Sequence, residues 1–167
     1  MVEKDTIFTN TIKYKGIFSF SDFYNFCYKW LTEETGLNVF EKKYSEELNG
    51  DSKKIKVEWV GMKRFTDYFR FEGEVVFDVL GLTKVEITQN GKKIETNKGS
   101  VEVKMKGIIA KDYDGKFETT AFKKFLRSIY EKWVIPSRIE EFQGKVIKDS
   151  DEFLSQAKSY LDLEGKR

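Results

Sequence analysis

Between Phe65 and Val79 apolar and polar residues alternate. Phe65, Phe69, Phe71, Val75, Phe77 and Val79 fall on one parity, and Thr66, Tyr68, Arg70, Glu72, Glu74 and Asp78 on the other. Successive side chains of a strand point to opposite faces, so the segment predicts a long strand with one buried and one wet face. This phase puts Phe69, Phe71 and Phe77 inside and Arg70 and Glu72 in solvent, and a slip of one residue would invert it. Gly73 interrupts the apolar parity and reads as a bend or bulge. Ile55, Val57 and Trp59 alternate in the same way with Lys54, Lys56 and Glu58.

The other elements are shorter. Ile7 to Lys15 predicts a first strand. Ser19 and Asp22 then stand at N-cap and N3 spacing, and Phe20, Phe23, Cys27, Trp30 and Leu31 follow as a helical stripe that Gly36 stops. Val39 to Ser45 predicts a second strand, and Glu46 to Lys53, around Asn49-Gly50-Asp51, a turn. Asn90-Gly91 is a type I′ signal within a Val85 to Thr96 hairpin, pairing Ile87 with Ile94. Asn97 to Ser100 reads as another turn before Val101, Val103, Met105, Gly107 and Ile109, with Val103 inward and Lys104 outward.

Two helices close the chain. Thr119 or Thr120 caps one that carries Phe122, Phe125, Leu126, Ile129 and Trp133 and that Pro136 ends or kinks. Ile139, Phe142, Val146, Phe153, Ala157, Tyr160 and Leu161 then share one helical face. They predict a single helix to about Leu163, or a break near Asp149 with Ser150 as a new cap. Gly144 weakens the helix interior, so a bend or close packing is expected there.

A strand, a helix, a run of strands and then helices is the order of an α+β fold, here a curved antiparallel sheet of about six to seven strands. The long C-terminal helix packs against it, and residues 1–167 form one domain. Over nearly its whole length this order of elements resembles the helix-grip, or START-like, superfamily, in which a curved sheet grips a long helix. The resemblance implies the architecture and no particular activity. The segments Phe125-Leu126-Arg127-Ser128-Ile129-Tyr130 and Arg138-Ile139-Glu140-Glu141 also resemble stretches of archaeal proteins with no assigned activity.

Composition narrows the setting. With 15 Phe, 8 Tyr and 3 Trp the chain is far too aromatic for a disordered one. The lone Cys27 excludes an internal disulfide and suits a reducing compartment. Met1 to Asn10 lacks the apolar run of a signal peptide, and no apolar stretch is long enough to span a membrane, so a cytoplasmic location is expected. The 30 Lys+Arg against 28 Asp+Glu leave a net charge of +2, a balanced surface that demands no acidic partner.

The absence of histidine removes the commonest general base and metal ligand. Ser–His and Cys–His nucleophile pairs are excluded, one cysteine cannot build a usual zinc site, and no phosphate-binding glycine loop is present. No cofactor, metal or catalytic residue is therefore expected. Cys27 lies among Phe23 and Trp30 and reads as an inert core thiol. Asp112-Tyr113-Asp114-Gly115 with Glu118 lacks calcium-loop spacing and reads as a turn, and Asp149-Ser150-Asp151-Glu152 as a helix N-terminus.

Two features remain. The pairs Lys42-Lys43, Lys53-Lys54, Lys63-Arg64, Lys92-Lys93 and Lys123-Lys124 fit a solvated sheet face, with an RNA- or DNA-binding surface as the alternative. Phe65, Phe69, Phe71 and Phe77, facing Trp133, Phe142 and Phe153, are the ligand-cavity candidates, with a packed core as their bland reading. The expectation is a non-enzymatic binding or assembly module, partnered by an apolar small molecule, a protein or a second copy. An RNA- or DNA-associated protein is the alternative.

Overall fold

The computed structural model describes residues 3–111, 121–129, 132 and 136–166. In chain order the elements are β1 (Glu3–Ile17), α1 (Phe20–Glu33), β2 (Asn38–Asn49), β3 (Ser52–Arg64), β4 (Phe69–Gln89), β5 (Lys92–Lys111), α2 (Ala121–Ile129) and α3 (Pro136–Gly165). The strands form one antiparallel sheet in the order β1-β5-β4-β3-β2. The chain is α+β, as expected. Asp112, Asp114, Gly115, Glu118, Thr119, Thr120 and Trp133 lie outside the described residues.

The described sheet has five strands, not six or seven, because the expected gap after Val79 and the expected turn at Asn97 to Ser100 are both continuous strand. Leu80 pairs with Ser100 and Thr83 with Lys98, so β4 carries one extra residue there. Gly81 absorbs it at φ 63°, a left-handed value that glycine adopts without strain. This is a β-bulge, and pairing resumes through it to the Asn90-Gly91 turn. Asn90 and Gly91 have φ 53° and 77°, as a type I′ turn requires, and Ile87 pairs with Ile94 as expected. Asn97 to Ser100, read as a turn, is held in strand by pairing with β4, while Gly16↔Gly99 and Ile17↔Lys98 tie it to β1. Glu46 to Asn49 and Ser52 to Lys53 are likewise paired strand, which leaves only Gly50-Asp51 as the turn.

The alternation in β4 is correct in phase. Phe69, Phe71, Val75, Phe77 and Val79 are buried beside Ile55, Val57 and Trp59 of β3 and Val101, Val103 and Met105 of β5. Phe65 precedes the strand, in a turn whose Phe65 and Thr66 amides both donate to the Phe69 carbonyl. On the outer face Lys104 is exposed, but Glu72, expected in solvent, is only 3% exposed. Two long cationic side chains close over it: Lys4 Nζ lies 3.0 Å from its Oε2, and Arg70 Nε donates to its Oε1 at 3.1 Å. Arg70, read as solvent-facing, is itself half-buried in this pairing.

Both long helices lie on one face of the sheet. In α1, Ser19 accepts the Asp22 amide at 3.4 Å, and Phe20, Phe23, Cys27 and Leu31 are buried as the spacing predicts. Trp30 is half-buried, its ring 5.9 Å from Phe153. The 30 residues of α3 run unbroken through Asp149 and Ser150. They pack across β1 and β5 and beside α1, burying Phe142, Val146, Ser150, Phe153, Leu154, Ala157 and Leu161.

Glycines decide how close these layers come. Gly61, Gly73 and Gly107 are mutual partners across β3, β4 and β5, a row of bare backbone. Gly73 therefore marks no bulge; the register runs straight through it. A Cβ at Gly61 would stand 3.2 Å from Leu37 Cβ, and one at Gly73 3.1 Å from Met105 Cε and 3.3 Å from Leu37 Cδ1. At Gly107 it would stand 2.6 Å from both Ser150 Oγ and Val146 Cγ1 of α3. Gly144, expected to need close packing or a bend, has open space where a Cβ would be.

These two glycines should respond oppositely to alanine. Gly107→Ala forces α3 off β5 and should destabilise by about 1–3 kcal/mol. Gly144→Ala adds a methyl in free space to a helix interior and should stabilise by about 0.5–1 kcal/mol. Chemical denaturation of the two variants beside the parent measures both signs.

Candidate functional site

The expected phenylalanines fall into separate clusters: Phe65, Phe69, Phe71 and Phe142 pack on one another, whereas Phe77 and Phe153 pack on other aromatic rings. Phe65 stacks on Phe142 with centroids 4.7 Å apart and planes 6° from parallel. Phe69 meets Phe142 at 5.3 Å, Phe65 meets Phe71 at 6.0 Å, and Phe77 meets Trp59 at 4.7 Å and Phe23 at 6.0 Å. Phe153 is fully buried beneath Trp30. Trp133 lies outside the described residues.

A cleft of about 890 Å³ lies at the other end of the helix-covered sheet face. Phe20, Ser21, Tyr24 and Asn25 of α1 form one wall, and Glu41, Tyr44, Glu46 and Leu48 of β2 the other. Ile55, Leu82, Lys53, Lys84, Thr83, Asp51 and Asn97 complete it.

Two bulges make this wall polar. On β2, Glu41 pairs with Trp59 and Lys43 with Glu58, so Lys42 is an extra residue. Before it the odd positions face inward with Trp59; after it the even ones do, with Tyr44 opposite Val57. Glu41, Tyr44, Glu46 and Leu48 thereby share one face. The Gly81 bulge makes the same switch on β4, from Val79 to Leu82 and Lys84. Reading β2 as unbroken alternation misses these residues; the signal was the parity change across Lys42-Lys43.

Within the cleft two carboxylates, Glu41 and Glu46, are each matched to a phenol. Tyr24 Oη donates to Glu41 Oε1 at 2.6 Å, and Trp59 Nε1 donates to the same oxygen at 3.3 Å. Tyr44 Oη donates to Glu46 Oε1 at 2.8 Å, and Lys53 Nζ stands 3.8 Å from Glu46 Oε2. Burial, and then the bond to Glu41, pushes the Tyr24 phenol up to about 12. Burial and Glu46 raise Tyr44 in the same sense. Both phenols stay protonated and act as fixed donors at neutral pH. Glu41 Oε2 and the Asp51 carboxylate have no partner among the described residues. Three carboxylates (Glu41, Glu46, Asp51) face two lysines (Lys53, Lys84), a net −1. Phe20, Tyr24 and Tyr44 line up as an aromatic side, at 6.1 Å and 6.3 Å between successive centroids.

Other candidate features fall apart in space. Cys27 is fully buried and burial pushes its thiol well up, as a core cysteine requires. Among the described residues no group of three or more acidic, Cys or His side chains is placed to hold a metal. The Lys pairs are dispersed: Lys53-Lys54 and Lys63-Arg64 sit at opposite ends of β3, Lys92-Lys93 at a hairpin tip and Lys123-Lys124 on α2. On the outer sheet face Lys56 is opposite Asp78 and Lys106 opposite Glu74, as expected for a solvated face. Among the described residues no helix is long and apolar enough to cross a membrane. Compared with known protein families, curated proteins and solved structures, the chain matches none.

The Tyr24 pairing has a pH signature. The folded phenol holds its proton more tightly than the ordinary value of 10.0, so its stabilisation is complete below pH 10 and is lost as pH rises towards about 12. Unfolding free energy should fall across that window, and Tyr24→Phe should make the fall shallower. Ultraviolet phenolate titration should show Tyr24 ionising late.

Proposed function

We propose that the chain is a binding module that takes up a small organic ligand in the cleft between α1 and β2. The observation that carries this is the cleft itself. Its volume of about 890 Å³ falls within the span of small-molecule sites, roughly 300–1,000 Å³. Its walls combine apolar surface from Phe20, Leu48, Ile55 and Leu82 with a few fixed polar groups, the composition such sites have.

The chemistry of those groups selects the ligand. Glu41 Oε2 and the Asp51 carboxylate are exposed acceptors open to a ligand donor, the net charge is negative, and aromatic faces attract cations. The ligand is an organic cation or amine with an apolar body; Leu48, 72% exposed, supplies apolar cover for that body. The strand–helix–meander–helix order is in keeping with the helix-grip resemblance, and a sheet face covered by helices suits ligand uptake.

Titration calorimetry with octylammonium and with octanoate tests the reading. The ammonium ion should bind and the carboxylate should not. Glu41→Gln should weaken ammonium binding about tenfold, the loss of one charge-assisted hydrogen bond. Equal binding of the two probes, or undiminished binding by Glu41→Gln with Tyr44→Ala, would contradict it.

A further inference from the structure

The sheet has two edges, and they differ. Among the described residues β1 pairs only with β5, and β2 only with β3. An edge strand leaves a row of backbone N–H and C=O groups without ladder partners, so proteins usually obstruct it. On β1 the obstruction is visible. Ile7 is an extra residue against β5, α3 packs on the strand, and Lys158 Nζ of α3 donates to the Lys13 carbonyl at 2.9 Å. On β2 the bulge at Lys42 guards only the first half. From Lys43 to Asn49 the register on β3 is unbroken, and no described strand pairs with the free side. Tyr44 is 44% and Leu48 72% exposed there.

The residues of this stretch say what fits the edge. Lys43, Ser45 and Glu47 lie on the outer face, opposite Glu58, Lys56 and Lys54 of β3, while Tyr44 and Glu46 lie on the inner face, in the cleft wall. Neither Lys43 nor Glu47 makes an ion pair among the described residues. The run Lys43-Tyr44-Ser45-Glu46-Glu47 complements its own reverse. Laid antiparallel on a copy of itself about Ser45, it sets Lys43 against Glu47 of the second copy, twice over, and Tyr44 against Glu46 of the second copy. Opposite charges directly across two strands stabilise the pair, and like charges destabilise it. The outer row then runs Lys54, Glu47, Lys43, Glu58 through both copies, alternating in sign. On the inner face the phenol–carboxylate match that Tyr44 makes with Glu46 within the chain is repeated between chains. Centring the pair on Glu46 or Glu47 would set that carboxylate against itself, and centring it on Tyr44 would bring the bulged Lys42 into the ladder.

We propose that the free edge of β2 pairs antiparallel with β2 of a second copy, about a two-fold axis at Ser45, so that two five-stranded sheets join edge to edge. Pairing about this axis keeps inner face beside inner face. Both helix layers lie on the same side, and the two clefts become neighbours, each with Glu46 of the other copy beside its Tyr44. The contact uses the same patch on both copies and closes on itself, so assembly stops at two. The ladder is short, so the dimer belongs among weak assemblies, and its exposed charge pairs are open to screening. The proposal rests on the edge and not on the ligand reading; a cleft that takes up no amine leaves it intact.

Sedimentation equilibrium of the full chain, up to about 1 mM, tests it. The chain should show a monomer–dimer equilibrium that high salt shifts towards monomer. Lys43→Glu and Glu47→Lys should each be monomeric, because like charges then meet on both sides of the axis. Their equimolar mixture should dimerise, because each variant supplies the charge that the other lacks. Directly opposed residues of antiparallel strands stand ~4.5–5.5 Å apart between Cα atoms, within disulfide reach, and the native Cys27 is fully buried. Ser45→Cys should therefore give a disulfide-linked dimer on mild oxidation. Lys43 and Glu47 are exposed, so the charge variants should melt near the parent temperature. If one of them melts early, the Ser45→Cys crosslink carries the test. A parent chain that stays monomeric, a mixture that stays monomeric, or a Ser45→Cys chain that does not crosslink overturns the proposal. So does a dimer that both charge variants keep, which would place the contact elsewhere on the molecule.

Discussion

The packing of helix on sheet rests on a contact in which one partner has no side chain. At Gly107 the backbone of β5 meets Val146 and Ser150 of α3 so closely that a methyl group would overlap both. Gly73 and Gly61 extend the bare strip across β4 and β3, where Leu37 from the end of α1 settles. Dispersion attraction falls off steeply with separation, so seating α3 and Leu37 against bare backbone is what lets the phenylalanines on either side interdigitate. Phe65, Phe71 and Phe142 close the core on one side of the strip, and Phe23, Trp59 and Phe77 on the other.

The same sheet uses irregularity as well as close fit. An extra residue at Lys42 and another around Gly81 switch the parity of β2 and β4 in mid-strand. Each switch carries polar residues onto a face that is apolar elsewhere, and a cleft opens where they gather. The phenol–carboxylate pairs there are internally matched, which holds their geometry before any ligand arrives. Preorganisation of this kind lowers the cost of binding. The polar wall is thus a consequence of strand mechanics and needs no separate motif.

How much could be read from the sequence follows the same division. Unbroken alternation located β3 and the first half of β4 with the correct inward face. Ser19 and Asn90-Gly91 marked a helix start and a hairpin because their signals are local side-chain and backbone preferences. Bulges defeat such reading: a period-two pattern that changes phase looks like a strand that has ended, which splits β4 at Gly81, while turn-prone Asn97, Gly99 and Ser100 mimic a turn within the unshifted β5. Gly73 was visible, but not its reason, since Gly61 and Gly107 are neighbours only across the sheet. The cleft was not legible because Tyr24, Glu41 and Lys84 come together from three elements. Periodicity showed that α2 is amphipathic without showing that it is anchored through Arg127, which bonds Tyr68 and Glu3. Glu72 was misplaced because alternation is blind to what long neighbours such as Lys4 and Arg70 cover.

If α3 is integral to the core, the sheet cannot stand without it. Beyond Gln143 the helix buries Val146, Phe153, Leu154 and Leu161, each stabilising by about 1.5–3 kcal/mol. Their sum is comparable to the whole stability of an ordinary domain, about 5–15 kcal/mol. The direct measurement is thermal unfolding by circular dichroism of a chain truncated after Gln143, with sedimentation in parallel. The account predicts that cooperative melting is lost. A truncated chain that melts cooperatively near the parent temperature, and has lost only an oligomer, would contradict it and make α3 an assembly arm.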